Sequence, residues 1–480
     1  MKEKTTILDN LFSGMVFKVF YLFLGFLSFN GYAYHQPWMK YITWGIAVFG
    51  TVNCIYRLIY FKKYWQTPHL WLAVLFLVSG TLTMLINRRY GMLESLQGMV
   101  WLTLQIILLY VTETDKSSVK MQREIRILAS LFVLLATASS MAGLIMLWQR
   151  FGRLVVLSPD EVVMRGFVLG RLWGVFTDPN YGSVTVCISG LINLYFIEKT
   201  KKKTIKALNA FFLIVSFLHL VFSDSRTGYV ALSLSFAIYS YLSFVRSKVG
   251  KEGEKKASVT KLHVVSLLLA VVVAFGSVGT AFLTKKTYNY AVSLQSSSST
   301  VTPGKPRKNL EIKRASEEES TDISNRRLSI WNSGKELFLE APITGVGFRN
   351  IVAAAEDKVP NTYIVNNDFT KFAAFHNMWV DILVSQGLVG LFIFLALTMA
   401  CFFSVFKAYK KMLNTKNENL LEFGLLVSIV FVCLVSSLFL SDTVYVNTQN
   451  SVMFWIVLGF LMNMSFQEKL KASEKKECKA

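Results

Sequence analysis

Apolar residues in this chain gather into long runs instead of alternating with polar ones. Twelve such runs lie near residues 12–33, 41–61, 69–87, 92–111, 126–148, 181–197, 205–222, 227–245, 262–283, 386–406, 420–440 and 448–466. Their lengths approach the roughly 17–25 residues that an α-helix needs to cross the hydrocarbon core of a bilayer. With no water there to satisfy backbone N–H and C=O groups, each run must close its hydrogen bonds internally, as a helix does. The pattern predicts an all-α polytopic membrane protein with about twelve transmembrane helices. Lys18 interrupts the start of the first run and no small-residue cleavage site follows it, so this run is expected to remain as a helix and not to act as a removed signal peptide.

One connection breaks the pattern of short links. Residues 284–375 form a loop of about ninety residues that opens with the Ser- and Thr-rich stretch 295–302, Pro303-Gly-Lys-Pro306 and a charged segment through Glu319. This first half reads as flexible linker. From Ile323 the composition changes, and Arg327, Leu328, Ile330, Trp331, Leu337 and Leu339 fall at helical spacing, with the helix expected to end before Pro342. Gly345 and Gly347 then mark a tight turn and not a phosphate cradle, since no Lys-Ser/Thr pair follows. The chain is expected to divide into 1–125 (spans one to four with flanks), 126–283 (spans five to nine), the loop 284–375, 376–466 (spans ten to twelve) and a basic tail, 467–480.

Composition agrees with the pattern. Of the 480 residues, 53% are hydrophobic and 17% charged, and the mean hydropathy of +0.43 excludes an ordinary soluble protein. The formal charge of +21 would by its sign suit nucleic acid. Its placement points instead to the membrane: with the long loop omitted, 30 Lys and Arg fall on one side of the spans and 8 on the other. Both termini are therefore expected in the cytoplasm, with the large loop outside, the basic segments 198–203 and 246–261 lying against anionic lipid, and no nucleic acid partner. Four cysteines (Cys54, Cys187, Cys401, Cys433) lie within apolar runs and Cys478 in the tail, with no CxxC pair, so neither a disulfide framework nor a metal site is expected.

Polar residues with chemical potential collect at the outer ends of the spans. Between spans five and six stand Arg165, Arg171, Asp178 and Asn180; between seven and eight, Asp224, Ser225, Arg226 and Gly228; the loop adds Arg326, Arg327 and Arg349; and His376 with Asn377 opens span ten. Taken singly, Arg226 could snorkel at the interface, Asp224 could cap the eighth span, Gly228 could serve helix packing and His376 could be interfacial. Their convergence on one face favours a site. Arginine clamps pyrophosphate with two oxygens at a time and does not deprotonate, and a neutral histidine can act as general base.

Five motifs then occur in order: Arg-Leu-x-Gly-x-Phe-x-Asp-Pro-Asn at 171–180, Ser-Arg-x-Gly at 225–228, Arg-Leu-x-Ile-Trp at 327–331, Pro-Ile-x-Gly-Val-Gly at 342–347, and His-Asn at 376–377 followed by Gln-Gly-Leu-Val-Gly at 386–390. Together they resemble the bacterial O-antigen ligase and Wzy-type polysaccharide polymerase superfamily over residues 165–400; the first four spans carry no such motif. The resemblance implies glycosyl transfer on the outer face of the plasma membrane, from an undecaprenyl-pyrophosphate-linked glycan to an acceptor glycan, with neither cofactor nor metal. It implies Arg226, Arg327 and His376 as catalytic residues and Arg171 as a further pyrophosphate-binding arginine. Arg326 stands where the family often has Gly, so either it or Arg327 would make the loop contact. Asp224 and Asn377 would support the site from behind. Membrane lipids and other surface-polysaccharide assembly proteins are the remaining expected partners.

Polymerase and ligase differ only in acceptor, and polymerisation of capsular or exopolysaccharide repeat units is favoured because no feature marks a different acceptor. Competing classes are a lipid-linked oligosaccharide flippase, disfavoured by the absence of an internal repeat and of broken helices in the sequence pattern, a peptidoglycan-synthesising transferase, whose motifs are not evident, and a non-catalytic scaffold, which would leave the Arg and His set without a purpose.

Overall fold

The computed structural model describes residue 12 and residues 14–113, 116–158, 161–248, 256–298, 310–313, 326–367, 370–415 and 417–477. Helices dominate. In chain order they are α1 (Met15–Ser28), α2 (Met39–Ile59), α3 (Leu70–Ile86), α4 (Met92–Leu104, continued by a π-turn over Gln105–Tyr110) and α5 (Ser118–Trp148). After three short strands follow α6 (Pro179–Lys199), α7 (Lys203–Ser223), α8 (Arg226–Lys248), α9 (Lys256–Ser298), α10 (Arg327–Leu339), α11 (Ile351–Lys358), α12 (Met378–Asn414), α13 (Leu420–Ser436) and α14 (Gln449–Glu477).

Each apolar run of the sequence overlaps a helix, although the first, 12–33, is helical only over Met15–Ser28. Eight of these helices, α2, α4 with its π-turn, α5, α6, α7, α8, α9 and α12, are long and apolar enough to cross a membrane, and α1, α3 and α13 are shorter apolar helices. The chain is thus a mostly helical, polytopic membrane protein. It divides into two compact units: residues 1–28, 36–128 and 326–480 form the first, and 29–35 with 129–325 the second.

The first unit is built around α14. Trp455, Phe460, Leu461 and Met462 are buried together with their neighbours on every side of that helix, as expected of a helix that is apolar all round. It packs against α1, α12, α13 and the π-turn. Three of the cations buried here each face a different kind of partner. The Lys116 ammonium lies 2.7 Å from Glu124, the Lys18 ammonium sits 4.5 Å above the Phe460 ring, and Arg57 donates to the carbonyl of Val111 at 2.7 Å, closing the end of the π-turn.

In the second unit α6 packs on α7 and α8, and α8 on α9. The lipid-facing surface of α9 is plain in Leu267, Leu268, Val272 and Phe275, all left exposed. A three-stranded antiparallel sheet, β1 (Gly152–Ser158), β2 (Glu161–Val168) and β3 (Arg171–Gly174), adds to the expected all-helical pattern. Its residues lie between spans and were read only as a connection. The signal is local: Val155, Val156, Val162 and Val163 flank Pro159 and Asp160, which is a hairpin pattern.

Two further differences concern the helix ends. The loop expected from residue 284 starts later, because α9 continues as helix to Ser298. Most of the expected linker, 299–309 and 314–325, lies outside the described residues. The short described piece 310–313 is docked: Ile312 is buried, its N–H and C=O pair with the Asn289 side chain at 2.9 and 3.1 Å, and Lys313 N–H donates to the Gly170 carbonyl at 3.2 Å. Second, the expectation of unbroken helices fails in α12, which is interrupted at Gly387 (φ 64°, ψ −164°). The 342–347 turn accounts for the break. Val346 and Gly347 N–H donate to the Val384 and Ser385 carbonyls at 2.9 Å each, and Leu388 and Val389 N–H donate to the Pro342 and Ile343 carbonyls at 2.9 and 3.3 Å. A neighbouring segment thus satisfies the groups that the break releases.

Candidate active site

The predicted residues fall into two groups, one in each unit. In the second unit, Leu169 and Gly170 join β2 to β3, both with positive φ (50° and 67°), the conformation of a two-residue primed hairpin turn. A Cβ on Gly170 would lie 1.8 Å from the Lys313 carbonyl oxygen, so glycine is needed for both its φ and its space. The turn delivers Arg171 at the start of β3. Its Nε donates to the Ser223 carbonyl at 2.8 Å and its Nη2 to Asn180 Oδ1 at 3.0 Å, so two of its five donors tie strand, α6 and the last turn of α7 together.

The Asp-Pro-Asn sequence is a helix start. Asp178 Oδ1 accepts from the N–H groups of Asn180 and Tyr181 at 2.6 and 3.3 Å, with Pro179 in the first turn. Asn180 Oδ1 also accepts from Ser225 Oγ at 3.0 Å, and Ser225 Oγ accepts from Gly228 N–H at 3.0 Å. Ser225, and not Asp224, therefore caps α8. Gly228 is the point of close approach to α6, since a Cβ there would lie 2.5 Å from Ser183 Oγ. Arg226, the first residue of α8, is exposed between buried Ser225 and Thr227. Asp224 has a left-handed φ of 46° and is buried; its carboxylate lies 3.0 Å from Lys285 Nζ and accepts from the Tyr229 hydroxyl at 3.4 Å. Lys285 was not singled out from the sequence. It sits just past the ninth apolar run, where nothing local marks it as the partner of a residue sixty positions earlier.

In the first unit, α10 carries Arg327, whose guanidinium lies 5.7 Å from the centre of the Phe439 ring. Arg326 precedes the helix with φ 66° and is exposed. One turn on, Trp331 Nε1 donates to the carbonyl of Phe375 at 3.0 Å, which joins the arginine-bearing helix to the residue before His376. The backbone around His376 is tied on both sides. Phe375 N–H donates to Asp381 Oδ1 at 2.8 Å, Met378 N–H donates to the Ser437 carbonyl at 2.9 Å, and Asn377 caps α12 by accepting from Trp379 and Val380 N–H at 3.0 and 3.3 Å. His376 itself is half-buried, with φ 52° and its ring edge-on to Phe372 at 6.2 Å. A non-glycine residue held in the left-handed region requires its surroundings to over-determine it, and these four bonds do so.

Asp381 is the supporting residue that sequence reading missed in this unit. It is buried, bonds the Phe375 N–H and accepts from the Ser441 hydroxyl. Its i+4 spacing from Asn377, inside the first turn of the helix, was the available signal. Gly345 and Gly347 have φ 71° and 93° and form a turn, as expected. The carbonyls of Thr344 and Gly345 are held by Thr83 Oγ1 at 2.7 Å and Asn87 Nδ2 at 3.0 Å.

The described residues thus place Arg171 and Arg226 at element ends of the second unit, and Arg326, Arg327 and a positive-φ His376 at helix ends of the first, within a polytopic helical membrane protein. Residues 211–395 match the family model described as O-antigen ligase. The matched residues include Asp224, Arg226, Arg326, Arg327, His376 and Asn377, while Arg171 lies before them. A comparison with curated proteins gives no match.

Proposed function

We propose that this protein transfers an undecaprenyl-pyrophosphate-linked glycan to an acceptor glycan at the outer face of the bacterial plasma membrane, and that the transfer polymerises surface polysaccharide repeat units. The observation that carries this reading is the O-antigen ligase match over 211–395, which spans Arg226, Arg327 and His376. In the proposed reaction an acceptor hydroxyl attacks the anomeric carbon of the donor glycan, the bond from that carbon to the pyrophosphate oxygen breaks, and the lipid pyrophosphate leaves. His376 takes the hydroxyl proton. Arg226 and Arg327, with Arg326 beside it, receive the charge that develops on the leaving group. Pyrophosphate departs readily once that charge is met by fixed donors, so the proposal invokes neither metal nor cofactor.

Arg171 enters this reading mainly through the loop it holds, because Nε and Nη2 already bond Ser223 and Asn180. Asp224 and Asn377 support their neighbours in the same sense. Loss of one donor to the leaving group should lower the rate about a hundredfold. The test compares surface-glycan length and carrier-linked intermediates in cells bearing wild type, Arg226→Ala, Arg327→Ala or His376→Ala at matched expression. Single repeat units left on the carrier, with long chains lost, support a polymerase. Long chains retained on the carrier but absent from the final acceptor point to ligase-type transfer, and near-normal glycan in all three variants rejects the enzyme reading.

A further inference from the structure

A cavity of about 500 Å³ opens in the first unit beside the start of α3 and the far ends of α12 and α14, lined in part by His69, Lys407, Lys411, Ser465, Glu468 and Lys469. This is the Lys- and Arg-rich end of the spans, and none of the residues assigned above to glycan transfer lines it. Two donors in it lack an acceptor. Lys411 Nζ and Ser465 Oγ are both shielded from solvent and have no hydrogen-bond partner among the described residues, and Ser465 as a whole is only 8% exposed.

The nearest acid does not resolve this. Glu468 Oε2 stands 3.9 Å from Lys411 Nζ, while Glu468 Oε1 already accepts from Asn417 Nδ2 at 2.7 Å and pairs with Lys471 Nζ at 3.1 Å. With Lys471 set against Glu468, the three cavity lysines are a surplus of positive charge. His69 is engaged separately, its Nε2 lying 2.8 Å from Ser404 Oγ. An ammonium and a hydroxyl withdrawn from water without acceptors are costly. Phosphate oxygens would relieve both at once, since lysine binds phosphate as a point charge and a hydroxyl adds a directed bond. Pro68, Ala408 and Phe466 give the rest of the cavity an apolar wall, which suits the glycerol and acyl part of a lipid better than a free ion.

We infer that this cavity binds the phosphate headgroup of an anionic glycerophospholipid. The test uses purified full-length protein, titrated with phosphatidylglycerol, with phosphatidylcholine of the same chains, or with inorganic phosphate, and followed by native mass spectrometry and thermal unfolding. Phosphatidylglycerol should bind about tenfold more tightly than phosphatidylcholine, and K407Q/K411Q should lose about that factor. S465A should weaken the same binding, and K407Q alone, which changes an exposed rim lysine, keeps the test valid if K411Q fails to fold. Equal binding of the two lipids, or phosphatidylglycerol binding unaltered in K407Q and S465A, overturns the site. Inorganic phosphate protecting as well as phosphatidylglycerol overturns the lipid assignment.

Discussion

Gly387→Ala should destabilise the protein severely for its size. At φ 64° and ψ −164° the backbone occupies a region open to glycine alone, and an added Cβ would lie 2.3 Å from the Ile343 carbonyl oxygen. The variant can escape only by rewinding α12. Regular helix would then pair Leu388 with Val384 and Val389 with Ser385, so those four groups would stay satisfied. The 342–347 turn would lose its partners. Pro342 and Ile343 are exposed and their carbonyls could turn to water, but Val346 and Gly347 are buried, and each orphaned N–H costs about 1–3 kcal/mol. The expected loss is about 3 kcal/mol, read as a fall of several degrees in the thermal midpoint of the detergent-purified protein, followed by tryptophan fluorescence. Gly276→Ala and Gly279→Ala are the controls: a Cβ at either meets nothing within 4 Å, and in a helix interior alanine is favoured over glycine by up to about 1 kcal/mol. A midpoint for Gly387→Ala equal to those of the controls would refute the account of the break.

Three further outcomes are expected. Asp224→Asn or Lys285→Met alone should cost up to about 3 kcal/mol, since each leaves a largely buried charge without its partner at 3.0 Å; the double variant should recover part of the loss, and additive midpoints would argue against the pair. Arg171→Lys should lower the midpoint and impair glycan transfer, because an ammonium cannot reproduce the fork that joins the Ser223 carbonyl to Asn180; an unchanged midpoint would mean that the clamp does not hold the loop. Asn377→Ala should remove about 1 kcal/mol with the α12 cap while Asn377→Ser retains it; equal unfolding midpoints for the two variants would show that the cap is not made.

The positions of the helices, the polytopic class, and the end of α10 before Pro342 were legible in the sequence because their causes are local. A long apolar run allows only a helix in lipid, and the residue before proline disfavours the helical region. The motif residues could be read by type and order, and the O-antigen ligase match covers most of them. Their supports could not. Ser225 caps α8 through its own backbone neighbourhood, yet its bond to Asn180 joins residues 45 apart, and Asp224 finds Lys285 on a different helix.

What the sequence determined by itself is therefore the apolar helices and the chemical groups they carry, but not the sheet β1–β3 or the short α11. Tertiary structure decided the rest: that α12 breaks at Gly387 because the 342–347 turn satisfies its released groups, that 310–313 docks onto Asn289 and Gly170, and that Trp331 and Asp381 hold Phe375 beside a strained His376. The physical reason is range. Apolar run length and helix-start signals act within a few residues, whereas these hydrogen bonds and ion pairs form between segments whose proximity exists only once the chain has packed.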